Sequence, residues 1–506
     1  MPDEFIERKI ITGFIISTEF IQQIRSNWNP RLIESSTAQV LIGWCIDYFD
    51  KYNKAPNKDI ENIYTEKLRK GLDKEKAEWI EMILESLSEE YEREQFNIDY
   101  LLDQTKTYFQ ERHLKLYIED VSFELNQGNV LDAERLALTY NSVAKEQGKV
   151  LDPFDESAKT KIKQSFAERE KPLIRFPKAL GQFWNQELVR GGFVALMGRE
   201  KIGKTFLLIE LAMRAVKSRC NVAFFQAGDM TELQQLRRLA IYHAGRSDQA
   251  RYCNGTYVPV LDCLLNQTDD CEEDIRENNT QIFKDKKQIT WDMLVNAVKQ
   301  NPEHQVCHNC SKIKGSPWLE WHKPTQVLTW TQAYKHLRLF KKKYKKQFLL
   351  SSHANETLSI SEIKSHLSIW EKQQNFVPDV IIIDYADILA PDADFSRQDF
   401  RQQQNKIWQR LRNLSQEKYC LVITATQIKA QGYGKDLLTM SDFSEDKRKF
   451  SHVTAMYGLN QTPEEKRIGL MRINELVVRE AEFDSFKPVT ILQRLQIGKP
   501  FLGSYR

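Results

Sequence analysis

Long apolar runs are missing from this 506-residue chain: none approaches the 18 residues that a membrane span needs, so no membrane partner is expected. Cysteine is sparse, eight in all, which excludes a disulfide framework at this length and points to reduced thiols in a cytoplasm. The opening residues, Met1-Pro2-Asp3-Glu4-Phe5-Ile6, start acidic and lack a long apolar core, so no secretory leader is expected. An excess of one charge sign is missing too: 73 Lys+Arg against 70 Asp+Glu leave a formal +3. Bulk electrostatics therefore do not announce a nucleic-acid binder, and any such contact must come from local patches. Glycine is scarce up to about residue 150, where no nucleotide or metal motif occurs.

What is present divides into three stretches. Residues 1–150 carry apolar residues at helical spacing, as in Ile10–Ile24, Ala38–Phe49 and Trp79–Leu87, and predict an all-α domain for packing or oligomerisation. Residues 151–180 read as a linker with a short helix over Ser157–Glu170, bounded by Pro172 and Pro177. From residue 181 to 506, apolar strand-like runs alternate with helical segments, which predicts an α/β domain built on a parallel sheet.

The most informative run is Gly198-Arg199-Glu200-Lys201-Ile202-Gly203-Lys204-Thr205, which fits G-x-x-x-x-G-K-[ST]. A buried-strand pattern, Phe193–Met197, precedes it, and a helical pattern from Phe206 follows. Such a loop points backbone N–H groups at phosphate oxygens, and the helix N-terminus adds partial positive charge. Lys204 is expected to reach the β/γ-phosphates of ATP and the Thr205 hydroxyl to bind Mg²⁺. Val380-Ile381-Ile382-Ile383-Asp384 predicts a second buried strand whose terminal carboxylate helps hold that Mg²⁺. Asp229, after the strand pattern Asn221–Gln226, is placed beside the phosphate-loop strand and is the candidate for orienting the attacking water. Gln427, after Thr426 at the end of Cys420–Ala425, is the candidate γ-phosphate sensor.

These motifs, with Leu358–Lys364 ahead of Asp384-Tyr385-Ala386-Asp387 and Thr426-Gln427 behind it, resemble the DnaB-type replicative helicases, in a phage or phage-like branch. The resemblance implies a RecA-like motor domain behind a helical N-terminal domain. It also implies a ring, normally a hexamer, that hydrolyses ATP between subunits and moves 5′-to-3′ along single-stranded DNA at a fork. Primase or a helicase loader would be partners, in a bacterial or phage-infected cytoplasm. Arg479, at the end of the run Met471–Arg479, is the implied arginine finger, with Arg472 as second choice. The chain departs from the family where it has Asp229 for the usual glutamate and Asp387 for the usual glutamine.

The interval from Lys204 to Asp384 exceeds what a RecA-like core needs, and its surplus, about residues 250–325, is cysteine-rich. Cys307 and Cys310 form a C-x2-C pair, and Cys263 with Cys271 would complete a four-thiolate zinc site, a zinc-ribbon-like insertion whose small core the metal would stabilise. Cys253, His304 and His308 are reserve ligands. Farther on, Lys435 and the basic run Lys447-Arg448-Lys449 are candidates for sequence-independent contact with DNA phosphates. Two other readings fit the same residues. One is a RecA-like DNA-dependent ATPase of repair, recombination or phage defence that does not unwind. The other is a zinc-stabilised scaffold that holds nucleotide with little turnover.

Overall fold

The computed structural model describes residues 2–25, 28–91, 98–139, 153–154, 156, 158–169, 171–228, 230–268, 270–272, 289–307, 315–429, 432, 435–442, 447–479 and 481–506. The chain divides into two compact units, Met1–Leu151 and Asp152–Arg506. The first unit is helical: α1 (Pro2–Ile16), α2 (Thr18–Ile24), α3 (Ser36–Tyr52), α4 (Asp59–Arg69), α5 (Lys74–Tyr91), α6 (Ile98–Asn126) and α7 (Val130–Thr139). Ser17 and Ser35 start two of these helices, their hydroxyls accepting the N–H groups of Phe20 (3.1 Å) and Ala38 (3.2 Å). One apolar core joins Phe14, Phe20, Leu41, Ile80 and Phe109 from α1, α2, α3, α5 and α6. Beside it, the buried Glu7 carboxylate accepts the Tyr108 hydroxyl at 2.6 Å and the Glu34 N–H at 2.5 Å, so its burial is compensated.

The second unit contains α8 (Ala158–Arg169), α9 (Lys178–Trp184), β1 (Phe193–Met197), α10 (Lys204–Lys217), β2 (Val222–Gln226), α11 (Glu232–Ala244) and β3 (Thr256–Cys263). It continues with α12 (Leu264–Gln267), α13 (Trp291–Gln300), β4 (Gly315–His322), α14 (Trp330–Tyr344), β5 (Phe348–Ser352), α15 (Ile360–Gln374) and β6 (Val380–Asp384). Then come α16 (Phe400–Glu417), β7 (Leu421–Thr426), β8 (Ala455–Asn460), α17 (Pro463–Ile468), β9 (Leu470–Val478), β10 (Val489–Arg494) and β11 (Lys499–Tyr505).

Among the described residues nine strands form one sheet, in the order β11-β10-β9-β8-β1-β7-β6-β2-β5. Its central part, β8 to β5, is parallel, and β9, β10 and β11 extend it antiparallel. Strands covered on both faces read as continuous apolar runs, and the two-residue alternation of side chains divides each between two cores. Thus Val194 and Leu196 of β1, with Ile382 of β6, enter the core built on α10, whereas Phe193, Ala195, Ile381 and Ile383 enter the core built on α15 and α16.

The order corrects one expectation. β1 lies between β8 and β7, and β7 and β6 separate it from β2, so the strand ending at Gln226 is not the neighbour of the phosphate-loop strand. Strands that come later in the chain insert between the first two, and crossover connections of this kind leave no local mark in the residues they join.

Of the expected zinc-ribbon-like insertion, the residues 308–314 that would carry Cys310 lie outside the described residues. Its described part is a two-stranded antiparallel sheet, β3 with β4, carrying α12 and α13. Its own Leu294, Ala297, Trp318 and Leu319 share a core with Ile468, Leu470 and Leu492 of α17, β9 and β10. Borrowing apolar surface from the motor sheet supplies the burial that a metal was expected to replace. At its centre Asp262, 1% exposed, accepts from His304 Nε2 (2.8 Å), Gln267 Nε2 (3.1 Å), Asn266 Nδ2 (3.0 Å) and the N–H groups of Cys263 (2.7 Å) and Cys307 (2.9 Å).

Burial pushes the Asp262 carboxyl up, but the hydrogen bonds led by His304 outweigh it, so its folded pKa lies below the ordinary range. A depressed folded pKa contributes stability that is complete above the unfolded value and is lost as pH falls through the folded one. The advantage of wild type over Asp262→Asn, read as hydrogen-exchange protection of β3 and β4, is therefore expected to be full at about pH 5–7 and to shrink below about pH 4. A gap that does not change with pH would show that the carboxylate is not ionised in the fold.

Candidate active site

The parallel strands deliver their C-terminal ends to one edge of the sheet, where α/β proteins hold ligands. The register sets Met197 opposite Thr426, Ile383 opposite Thr424 and Gln226 opposite Asp384. The loop after β1 and the ends of β6, β7 and β2 therefore face the same crevice. The loop curls through two left-handed residues, Lys201 (φ +56°) and Gly203 (φ +108°), and Gly203 forms the cap of α10. Gly203 is the residue that such a φ favours. Lys204 Nζ lies back over the loop, donating to the carbonyls of Gly198 (2.8 Å) and Arg199 (3.1 Å). Arg199 donates to the Gln461 carbonyl at 2.8 Å, which ties the outer side of the loop to the segment after β8.

Asp384 ends β6 and is 3% exposed. A buried carboxylate together with the Thr205 hydroxyl is a set of hard oxygen donors, the chemistry that suits Mg²⁺. Arg238 of α11 belongs to the site although no sequence motif marks it. This half-buried guanidinium stacks on the Phe206 ring at 4.8 Å, one residue beyond Thr205, and interacts electrostatically with Asp384. Burial holds its pKa below the ordinary arginine value, with Asp384 opposing. Arg238, Phe206, Tyr252, Gln461 and Leu495 line a cavity of about 580 Å³ beside the start of α10. The available signal was the pair Arg237-Arg238 on a helix following a strand end, but nothing local told which arginine turns inward.

Gln427 is held from two sides. Its side chain donates to the Tyr385 hydroxyl (2.9 Å), and its N–H donates to Asp387 Oδ2 (3.2 Å). Thr426 Oγ1 donates to the same oxygen at 2.6 Å. Asp387 Oδ1 accepts from Lys449 Nζ at 3.0 Å, and that ammonium lies 5.4 Å from the ring centroid of Trp408. Lys449 is 0% exposed. This corrects its assignment as a DNA-phosphate contact: a fully buried cation paired with a carboxylate cannot meet a strand in solvent. Neither the Lys447-Arg448-Lys449 run nor its charge distinguishes inward from outward positions.

Of its neighbours, Arg448 is exposed, and the side chain of Lys447 lies outside the described residues. Lys435 is exposed and pairs with Asp442 at 2.5 Å. Arg479 stands exposed at the end of β9, its N–H on the Thr454 carbonyl (3.0 Å) and its guanidinium on the Ser451 carbonyl. Arg472 is committed to Glu465 (2.6 Å) and Asp436 (2.8 Å). Asp229 lies outside the described residues, as does Cys310. Among the described residues no group of three or more His, Cys, Asp or Glu can hold a metal ion. Among the described residues no helix is long and apolar enough to cross a membrane.

No family model matches the sequence, and no curated protein matches it. A solved structure does match the fold. The structure of a DnaB-like replicative helicase, described with its interactions with primase, aligns over 98% of this chain and 98% of its own, with 12% identity and a TM-score of 0.57. A second solved structure, an ATPase domain, aligns over 69% of this chain and 98% of its own, with 12% identity and a TM-score of 0.45. A helical first unit followed by a mostly parallel sheet with a phosphate-type loop after β1 is the fold of a DnaB-like replicative helicase, carried here over nearly the whole chain.

Proposed function

We propose that this protein is an ATP-driven replicative DNA helicase, acting as a ring, normally a hexamer, on single-stranded or forked DNA in the cytoplasm of a bacterium or a phage-infected host. The observation that carries the reading is the convergence of the Gly198–Thr205 loop, Asp384 and Gln427 on one edge of the sheet, in a fold shared end to end with a DnaB-like helicase. ATP would lie with its phosphates against residues 198–205, and the cavity beside Arg238 would receive its base and ribose. Thr205 and Asp384 would hold Mg²⁺, which neutralises phosphate charge when bound. Lys204 would leave the loop carbonyls for the β/γ-phosphate oxygens. Asp229 would orient water in line with the γ-phosphorus, one methylene shorter than a glutamate, and Gln427 would sense the γ-phosphate. Arg479 of a neighbouring subunit would face the same phosphate. Lys435 and Arg448 would meet DNA phosphates, and a primase or loader would bind the assembled ring. Zinc is carried by the Cys307–Cys310 spacing alone.

The test is strand displacement on a forked duplex with ATP and Mg²⁺, where ATP-dependent release of the annealed strand is expected. DNA-stimulated phosphate release without displacement would favour a translocating ATPase of repair or defence. ATP binding with no stimulated release would favour a scaffold. If the finger acts across an interface, Arg479→Ala lowers turnover about 10³-fold or more. Mixed with wild type, it should then suppress turnover more than in proportion to its share. A strictly proportional loss would place Arg479 outside the site.

A further inference from the structure

We propose that the buried Lys449–Asp387 pair is a positioning device that makes the segment Lys447–Ser451 the link between DNA contact and the γ-phosphate sensor. The inference rests on the helicase reading above but concerns two residues at which this chain differs from the expected pattern or from its apparent role. Asp387 is the hub. One of its oxygens takes Thr426 Oγ1 (2.6 Å) and the Gln427 N–H (3.2 Å), and the other takes Lys449 Nζ (3.0 Å). Gln427 therefore cannot shift its backbone without moving the carboxylate, and the carboxylate is held in turn by a cation on another segment.

That segment is a short 3-10 turn, Lys447–Ser451, in which consecutive side chains face opposite ways: Arg448 is exposed and Lys449 is 0% exposed. A force on Arg448 from a DNA strand is transmitted through one peptide to the buried ammonium. Below, the ammonium rests on Trp408 of α16, whose neighbour Asn405 meets His452 Nε2 at 2.8 Å. The turn is thus braced against α16 at two points. Its other end carries the Ser451 carbonyl, which accepts from the Arg479 guanidinium, while Arg479 N–H is fixed to Thr454. One turn of five residues therefore reaches the sensor of its own site through Asp387 and holds Arg479, the arginine that the helicase reading offers to the next subunit.

An ion pair out of water is a costly way to join two segments, because desolvation of both charges must be offset by their attraction. Apolar residues of equal size would pack as well. What the ion pair adds is a defined register between Asp387 and Lys449, a two-partner geometry that a sensor can use and a greasy contact cannot.

The experiment compares full-length wild type with the double variant Asp387→Asn/Lys449→Met, which removes both charges and leaves neither unpaired, and with Thr426→Val, which removes only the 2.6 Å hydroxyl contact. Phosphate release is measured with and without single-stranded DNA, together with ATP-analogue affinity and DNA affinity by fluorescence anisotropy. Both variants are expected to lose about tenfold or more of the stimulation by DNA. Their affinities for nucleotide and for DNA should stay within about twofold of wild type. Stimulation like that of wild type in Thr426→Val and in the folded double variant would make the pair merely structural. A parallel collapse of DNA affinity would make Lys449 a DNA contact. Either result overturns the proposal. If wild type binds ATP but shows no DNA stimulation, the helicase reading fails first and the link with it.

Discussion

Lys204→Ala is expected to lower ATP turnover by about 100- to 1,000-fold, the cost of removing one fixed charge stabiliser from a transferring phosphoryl group. The ammonium contacts the Gly198 and Arg199 carbonyls at the mouth of the loop, at the first residue of α10. Its removal should leave the cores on either side of β1 intact, because neither includes it. The check is phosphate release at saturating ATP, with thermal melting of the variant alongside. A near-native melt with turnover lost is the expected pair of results, and strand displacement should fall with turnover. Turnover near the wild-type rate would remove residues 198–205 from the site.

Trp408→Ala is expected to destabilise the Asp152–Arg506 unit by about 3–5 kcal/mol, the range for emptying a buried aromatic site. The ring is 0% exposed, tilts against Phe193 of β1 at 5.5 Å and underlies the Lys449 ammonium at 5.4 Å. Truncation opens a cavity and withdraws the aromatic face from a buried cation at the same time. Urea unfolding followed by circular dichroism should show the transition of this unit at lower denaturant, with that of Met1–Leu151 unmoved. A change under about 1 kcal/mol would mean that α16 can collapse onto β1 and refill the space.

Contact range decides which features could be read directly from the chain. The phosphate loop was legible because its chemistry is local: eight consecutive residues carry the glycine, lysine and threonine, and the flanking strand and helix patterns are contiguous with them. Strands β1, β6 and β7 were legible for a related reason, since a strand buried on both faces must be apolar throughout. By contrast β5, with its half-buried edge position and Ser351-Ser352 end, and β8, with Gly458 and Asn460 in its run, lack that uniform pattern. The zinc expectation rested on the cysteine spacing and on the small local core. It assumed that the insertion had to support itself, whereas Ile468, Leu470 and Leu492 from outside it complete its core.

Arg238 and Lys449 show the same limit within the site. Each sits among similar residues, Arg237 beside Arg238 and Arg448 beside Lys449, and only the packing of distant elements decides which one turns inward. Lys449 meets Asp387 across 62 positions, a separation at which side-chain direction is decided by which helix lies beneath the turn. The amino-acid order alone settled that a triphosphate-type loop sits between a buried strand and a helix, in an α/β unit behind a helical one, because backbone curvature, periodicity and capping act over a few residues. Folding in three dimensions decided which strands neighbour β1, where the insertion finds its core, and that one lysine of a basic run is a buried brace and not a surface charge. Those outcomes depend on long-range burial, where the cost of desolvating a charge or an apolar face is set by whatever the rest of the chain brings against it.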